Sequence, residues 1–252
     1  MRDVLQILGR QGTSVNVLEI YPEIHAMVKA HTGASDPYKT IKERDIQMVL
    51  RLYPKLQSFV RNGEDSLRRA LKAAVVGNNI DSGIQDYSGL EAALESELDK
   101  PFAVCDADLL EDRMKTARNL LIIGDNAGET VFDRLLIEQF PGLDVTYAVR
   151  EAPVLNDATL EEARASGLES CCARVVSSGC GTPGILPELC SPEFLELYEA
   201  ADIVISKGMG NFEGLGGRGH DVFYLFMVKC PAIAQRAGTP VGEYVFRHES
   251  RL

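Results

Sequence analysis

The 252-residue chain has no run of apolar residues near the ~20 that a helix needs to cross a bilayer, which excludes a helical membrane span. Its start, Met1-Arg2-Asp3-Val4, lacks a basic stretch followed by an apolar one, so no secretory signal is expected and a cytoplasmic protein is the default. No cluster of Lys and Arg offsets the formal charge of −11, which argues against a nucleic-acid partner. That charge also repels anionic substrates at long range, so a site for phosphates needs a local cation. The six cysteines include no Cys-x-x-Cys pair and read as reduced thiols, many of them buried. Cys171-Cys172 are adjacent and would bridge only with strain. Internal repeats, low-complexity tracts and a flexible linker are all lacking. What remains, 45% apolar and 25% charged, is a globular composition, long enough for one large domain or a core with a helical attachment.

The first hundred residues read as helices. Leu18, Tyr21, Ile24 and Val28 recur at helical spacing up to His31, with Gly33 as a stop. Asp36-Pro37 predicts a sharp start, Asp at the N-cap and Pro in the first helical position. The helix it opens, with Ile41, Ile46, Val49, Leu50 and Leu52 inward, is expected to bend or break at Pro54. Further helices are predicted over Leu67–Val76, Leu90–Leu98 and Asp106–Arg118.

From Asn119 the period changes. Buried-strand runs recur at Leu120–Ile123, Val145–Val149, Arg174–Ser177, Ile203–Ser206 and Val222–Val228, with a weaker one at Tyr244–Phe246. Helical stretches over 131–140, 158–165 and 192–200 separate the first four. This alternation marks a parallel α/β sheet with crossover helices. The expected division is a helical N-terminal subdomain over 1–115, packed directly on an α/β domain over 116–252.

Three strand ends carry polar groups, and such ends form the ligand edge of an open α/β sheet. The first is Gly124-Asp125-Asn126-Ala127-Gly128-Glu129-Thr130, where a carboxylate and a carboxamide offer hard oxygen ligands to a cation. Asp125 or Asn126 could equally cap the following helix. The second is Arg150-Glu151-Ala152-Pro153-Val154-Leu155-Asn156-Asp157, whose Asp157 is a helix cap or a further oxygen ligand from the neighbouring strand. The third is Ser206-Lys207-Gly208-Met209-Gly210-Asn211-Phe212-Glu213. A Lys directly after a buried strand, with Gly208 and Gly210 opening the backbone amides, is coherent as a phosphate cradle. It is neither a Walker A loop nor a Gly-x-Gly-x-x-Gly fingerprint. His25 and His31 read as surface or boundary residues, and His220 lies in a loop as a weak candidate for substrate contact.

In this order these motifs, together with Asp36-Pro37-Tyr38 and Gly77-Asn78-Asn79-Ile80-Asp81, resemble the damage-control phosphatases, metal-dependent enzymes also described as domain of unknown function 89. The resemblance implies a three-layer α/β/α sandwich with a mainly parallel sheet and a helical N-terminal part. It implies a divalent metal (Mg, Mn, Co or Ni) on Asp125, Asn126 and Asp157, and a substrate-phosphate lysine at Lys207. Arg150, Gly208, Gly210 and Asn211 join Lys207 as expected substrate contacts. Asp125, Lys207 and Glu129 are the expected catalytic groups, with Glu129 or Glu213 orienting a water. The implied reaction is hydrolysis of a small phosphorylated metabolite, a sugar phosphate or a damaged one. Prokaryotic members usually begin with a Cys-x-x-Cys segment, which is missing before Cys105. The rival readings are a carboxylate methyltransferase using S-adenosylmethionine and a non-catalytic binder of sugar phosphates or nucleotides. Against the former, Asp125-Asn126 stand where a methyl donor would want a glycine-rich loop. Oligomeric state is not legible.

Overall fold

The computed structural model describes residues 17–78, 87–171, 174–218 and 220–252, with Ile7 and Gly9 besides. From Val17 the described residues form four helices: α1 (Val17–Thr32), α2 (Lys39–Arg61), α3 (Ser66–Gly77) and α4 (Tyr87–Leu98). A short strand β1 (Val104–Cys105) and helix α5 (Ala107–Met114) lead into the alternating region. There follow β2 (Asn119–Ile123), α6 (Glu129–Ile137), β3 (Asp144–Val149), α7 (Leu160–Ala165) and β4 (Arg174–Ser177). The chain ends with α8 (Pro192–Ala200), β5 (Ile203–Lys207), α9 (Met209–Leu215), β6 (Val222–Met227), α10 (Pro231–Ala237) and β7 (Tyr244–His248).

The strands form one seven-stranded sheet in the order β1-β7-β6-β5-β2-β3-β4. All pairings are parallel except β6 with β7. Side chains alternate between two cores, as the period of 2 requires. Leu120 and Ile122 of β2 enter a core shared with α2, α3 and α6, whereas Leu121 and Ile123 enter one shared with α8, α9 and α10. The expected three-layer α/β/α sandwich is therefore the observed architecture. Central strands buried on both faces also explain the continuous apolar runs that marked them. Among the described residues no helix is long and apolar enough to cross a membrane.

Four local expectations need correction. The Asp36-Pro37 pair forms a turn, and α2 begins only at Lys39. Asp36 Oδ1 accepts the Tyr38 amide at 2.9 Å, while its Oδ2 holds the buried Lys42 at 2.6 Å. The carboxylate thus closes a turn and anchors a lysine one turn into the helix. Secondly, α2 does not break at Pro54, because Val49, Leu52, Leu56 and Val60 keep its apolar face buried on both sides of the proline. Thirdly, α5 ends at Met114, four residues short of the expected stop. Fourthly, among the described cysteines only Cys180 is buried, the others being partly exposed. The Asn79–Asp81 part of the Gly77–Asp81 motif, and Cys172, lie outside the described residues.

Candidate metal and phosphate site

From β2 the chain runs outward to β3 and β4 on one side, then returns to lay β5 against the other side of β2. The carboxyl ends of β2 and β5 therefore flank a topological switch point, where open α/β sheets bind ligands. Asp125 and Asn126 leave β2 there, and Asp157 lies in the loop that follows β3. The two loops are stitched by backbone: Ala127 donates to the Asn156 carbonyl at 2.8 Å, and Ala158 to the Asp125 carbonyl at 2.8 Å. This makes an isolated bridge between Asn126 and Asp157. The three expected oxygen ligands are thus brought together by main chain, before any ligand contributes.

Their carboxyls are crowded even with the Arg150 guanidinium beside both. Burial, the Asp157 charge and the Glu129 charge push the Asp125 carboxyl well above the usual range. Asp157 is pushed up to about 6, again chiefly by burial, with Arg150 opposing. Asn126 turns its Nδ2 to Glu129 Oε1 at 2.6 Å and Asp125 Oδ2 at 3.2 Å, which keeps its own oxygen spare. Among the described residues no three His, Cys, Asp or Glu side chains are grouped for a metal, so an ion held here would need the carboxamide of Asn126 as a third donor. An all-oxygen set with crowded carboxylates suits a hard divalent ion. The residues present fit the group.

The basic residues are arranged differently from the expectation. Lys207 ends β5, but its ammonium is fully buried, 2.8 Å from Glu129 Oε2 and 2.7 Å from Asp133 Oδ1. Burial pulls the Lys207 pKa down, yet Asp133 and Glu129 outweigh it and hold the ammonium charged. Tyr147 completes the group, donating to Asp133 Oδ2 at 2.6 Å. Lys207 and Glu129 are therefore a sealed ion pair behind Asp125 and Asn126 and do not line the cleft. Arg150, 1% exposed, is likewise spent within the protein. It donates to Asp157 Oδ2 at 2.7 Å, Asn211 Oδ1 at 2.9 Å and Asp125 Oδ1 at 3.4 Å. Asn211 is a strap: its Nδ2 reaches the Gly124 and Lys207 carbonyls, and its Oδ1 accepts Arg150 and the Ile185 amide.

Gly208 does not cradle an anion either, because its amide donates to the Leu225 carbonyl. Its φ of +82° and the 2.1 Å that would separate a Cβ from Asp125 Oδ2 explain the glycine: it lets Asp125 lie against the backbone. Gly210 lines the cleft and touches the Pro183 carbonyl, where a Cβ would approach to 2.2 Å.

The cleft above the trio, about 260 Å³, is walled by Tyr21, Leu155, Met209, Glu213 and Lys229. Lys229 was not anticipated. It is exposed, follows β6 at the same sheet edge, and is held by the Asn78 carbonyl at 2.8 Å. The signal was available, since it stands directly after the apolar run Val222–Val228 as Lys207 does after Ile203–Ser206. His25 also differs from expectation. It is buried and accepts the amide of Leu155, a residue at φ +47°, so α1 pins the strained loop that presents Asn156 and Asp157. His220 faces Tyr198 and Glu199 and does not line this cleft.

Residues 2–245 match the profile of the damage-control phosphatase ARMT1-like domain. The chain belongs to that family. It is 34% identical to a damage-control phosphatase of Pyrococcus horikoshii, over 84% of this chain and 75% of that protein. It is 35% identical to an uncharacterized protein of Methanocaldococcus jannaschii, over 88% of this chain and 76% of the other. A further damage-control phosphatase, from Archaeoglobus fulgidus, is 28% identical over 96% of this chain and 86% of its own length. Among solved structures, a crystal structure of a DUF89 family protein from Pyrococcus horikoshii superposes with a TM-score of 0.87 at 31% identity. It covers 98% of this chain and 88% of that one. Family membership thus agrees with the sandwich and with the polar strand ends from which the resemblance was drawn.

Proposed function

We propose that this member of the family is a metal-dependent phosphatase acting on small phosphorylated metabolites. The observation that carries the reading is the main-chain bridge that brings Asp125, Asn126 and Asp157 together beneath a cleft with an exposed lysine. Asp125, Asn126 and Asp157 would hold a divalent ion such as Mg²⁺, Mn²⁺, Co²⁺ or Ni²⁺. When bound, such an ion supplies Lewis-acid polarisation of the phosphoryl oxygens. Lys229 draws the dianion into an otherwise acidic protein and faces the developing phosphoryl charge. Glu129 and Lys207 form the buried counter-charge that keeps Asn126 and Asp125 oriented. Glu213, half-buried at the cleft wall with its carboxyl raised by burial, is the free carboxyl placed to take a proton.

Family membership and the phosphatase relatives support this reading over methyl transfer. The β2–α6 turn supports it too. A side chain at Gly124 would meet the Tyr147 hydroxyl at 2.6 Å, so that glycine serves packing and not an adenosyl cradle.

The test is phosphate release from a panel of sugar phosphates by chelator-dialysed protein, with each metal added back. Activity is expected only with metal, and Asp125→Asn is expected to remove it while the protein stays folded. Full turnover in excess chelator would overturn the reading.

A further inference from the structure

Asn78 closes α3 and belongs to the Gly77–Asp81 motif, to which the site so far gives no role. Its carboxamide is 4% exposed. The Nδ2 group donates to Asp125 Oδ2 at 2.8 Å and to Glu129 Oε1 at 2.6 Å. Its main-chain carbonyl accepts the Lys229 ammonium at 2.8 Å. One residue thus touches a carboxylate of the trio, the carboxylate that neutralises Lys207, and the exposed cation of the cleft.

The side chain plays no part in ending the helix, because that turn is closed by the Asn78 amide on the Val75 and Val76 carbonyls. Its Oδ1 is buried and meets no donor among the described residues. An unpaired buried acceptor is uncommon in native proteins and asks for a reason. Turning the amide over would not relieve it, since Oδ1 would then face two carboxylates. The orientation is therefore dictated by Asp125 and Glu129.

We propose that Asn78 is a positioning residue of the site. Its two N–H groups hold the like-charged Asp125 and Glu129 side by side, so that Asp125 is set for the metal before the metal arrives. Its carbonyl keeps Lys229 over the same point. The proposal rests on the metal-dependent reading above. Groups that orient ligands from behind usually contribute about 10- to 100-fold in metal affinity.

The experiment is calorimetric titration of Mn²⁺ into metal-free protein: wild type, Asn78→Ala, and Ser166→Ala as a control. Ser166 is also a buried polar residue, bonded to the Ala163 carbonyl at the end of α7 and away from the site. Asn78→Ala should weaken Mn²⁺ binding about 10- to 100-fold, with Ser166→Ala unchanged. Wild-type affinity in a folded Asn78→Ala would overturn the proposal. Should alanine fail to fold, Asn78→Ser, whose hydroxyl can serve only one carboxylate, should give an intermediate loss; wild-type affinity there overturns it equally. No Mn²⁺ binding by the wild type would instead overturn the metal reading itself, and this proposal with it.

Discussion

Lys207 ends β5 and Lys229 follows the neighbouring β6 at the same sheet edge, and their surroundings give them opposite settings, one buried and one exposed. The placement of Lys207 after an apolar strand was legible. Its partners were not, because they come from another element: Glu129 and Asp133 stand four apart on α6 and so share a face. Two carboxylates at that spacing on a helix buried all round were the missed sign that a cation must lie opposite. Removing one member of such a buried group leaves charges without water or counter-ion, at a cost of about 3–5 kcal/mol. Lys207→Ala is therefore expected to lower stability by about that amount in denaturant titrations. Lys229→Ala should leave stability within about 0.5 kcal/mol, as exposed substitutions do, yet lower turnover by about 10²–10³. Measuring both quantities on both variants separates the roles, and an unchanged melting curve for Lys207→Ala would return that lysine to the substrate.

At the scale of elements, the central strands and their crossover helices were readable because burial on both faces leaves long apolar runs. The exceptions are informative. Strand β1, two residues long, carries too short a pattern to be seen, and it exists because Val104 and Cys105 pair with Val245 and Phe246, far along the chain. Helix α2 overrides its proline for a similar reason. Pro54 is exposed and removes one helical hydrogen bond, yet the face formed by Val49, Leu52, Leu56 and Val60 is fully packed. The proline is a local fault outvoted by tertiary burial. Pro54→Ala should accordingly stabilise the protein, by about 1–3 kcal/mol less the smaller gain a proline makes by restricting the unfolded chain. A raised denaturant midpoint with unchanged slope is the expected observation; a lowered midpoint would mean that Pro54 stabilises the helix where it stands.

For the whole molecule, the expected repulsion of anions and the local cation that answers it act over different distances. The net charge of −11 is spread over the protein, and its field falls off within the Debye length, about 10 Å at 0.1 M salt. In the proposed reaction Lys229 acts at contact, beside carboxylates whose own charges would oppose a dianion unless a metal offsets them. The trio Asp125, Asn126 and Asp157, proposed above to hold a metal, could be read from sequence as chemistry at strand ends. The balance of far and near fields could not, because it depends on which cations are exposed: Lys42, Arg150 and Lys207 are all buried and paired. At low salt the global repulsion should dominate the approach of a phosphomonoester. Screening with KCl from about 10 to 300 mM should then raise kcat/KM by roughly two- to five-fold, with metal saturating throughout. In Lys229→Ala, with the near attraction gone, the rise should be steeper. A fall in kcat/KM with salt in the wild type would mean that the loaded site, not the acidic surface, sets the field that a substrate meets on its way in.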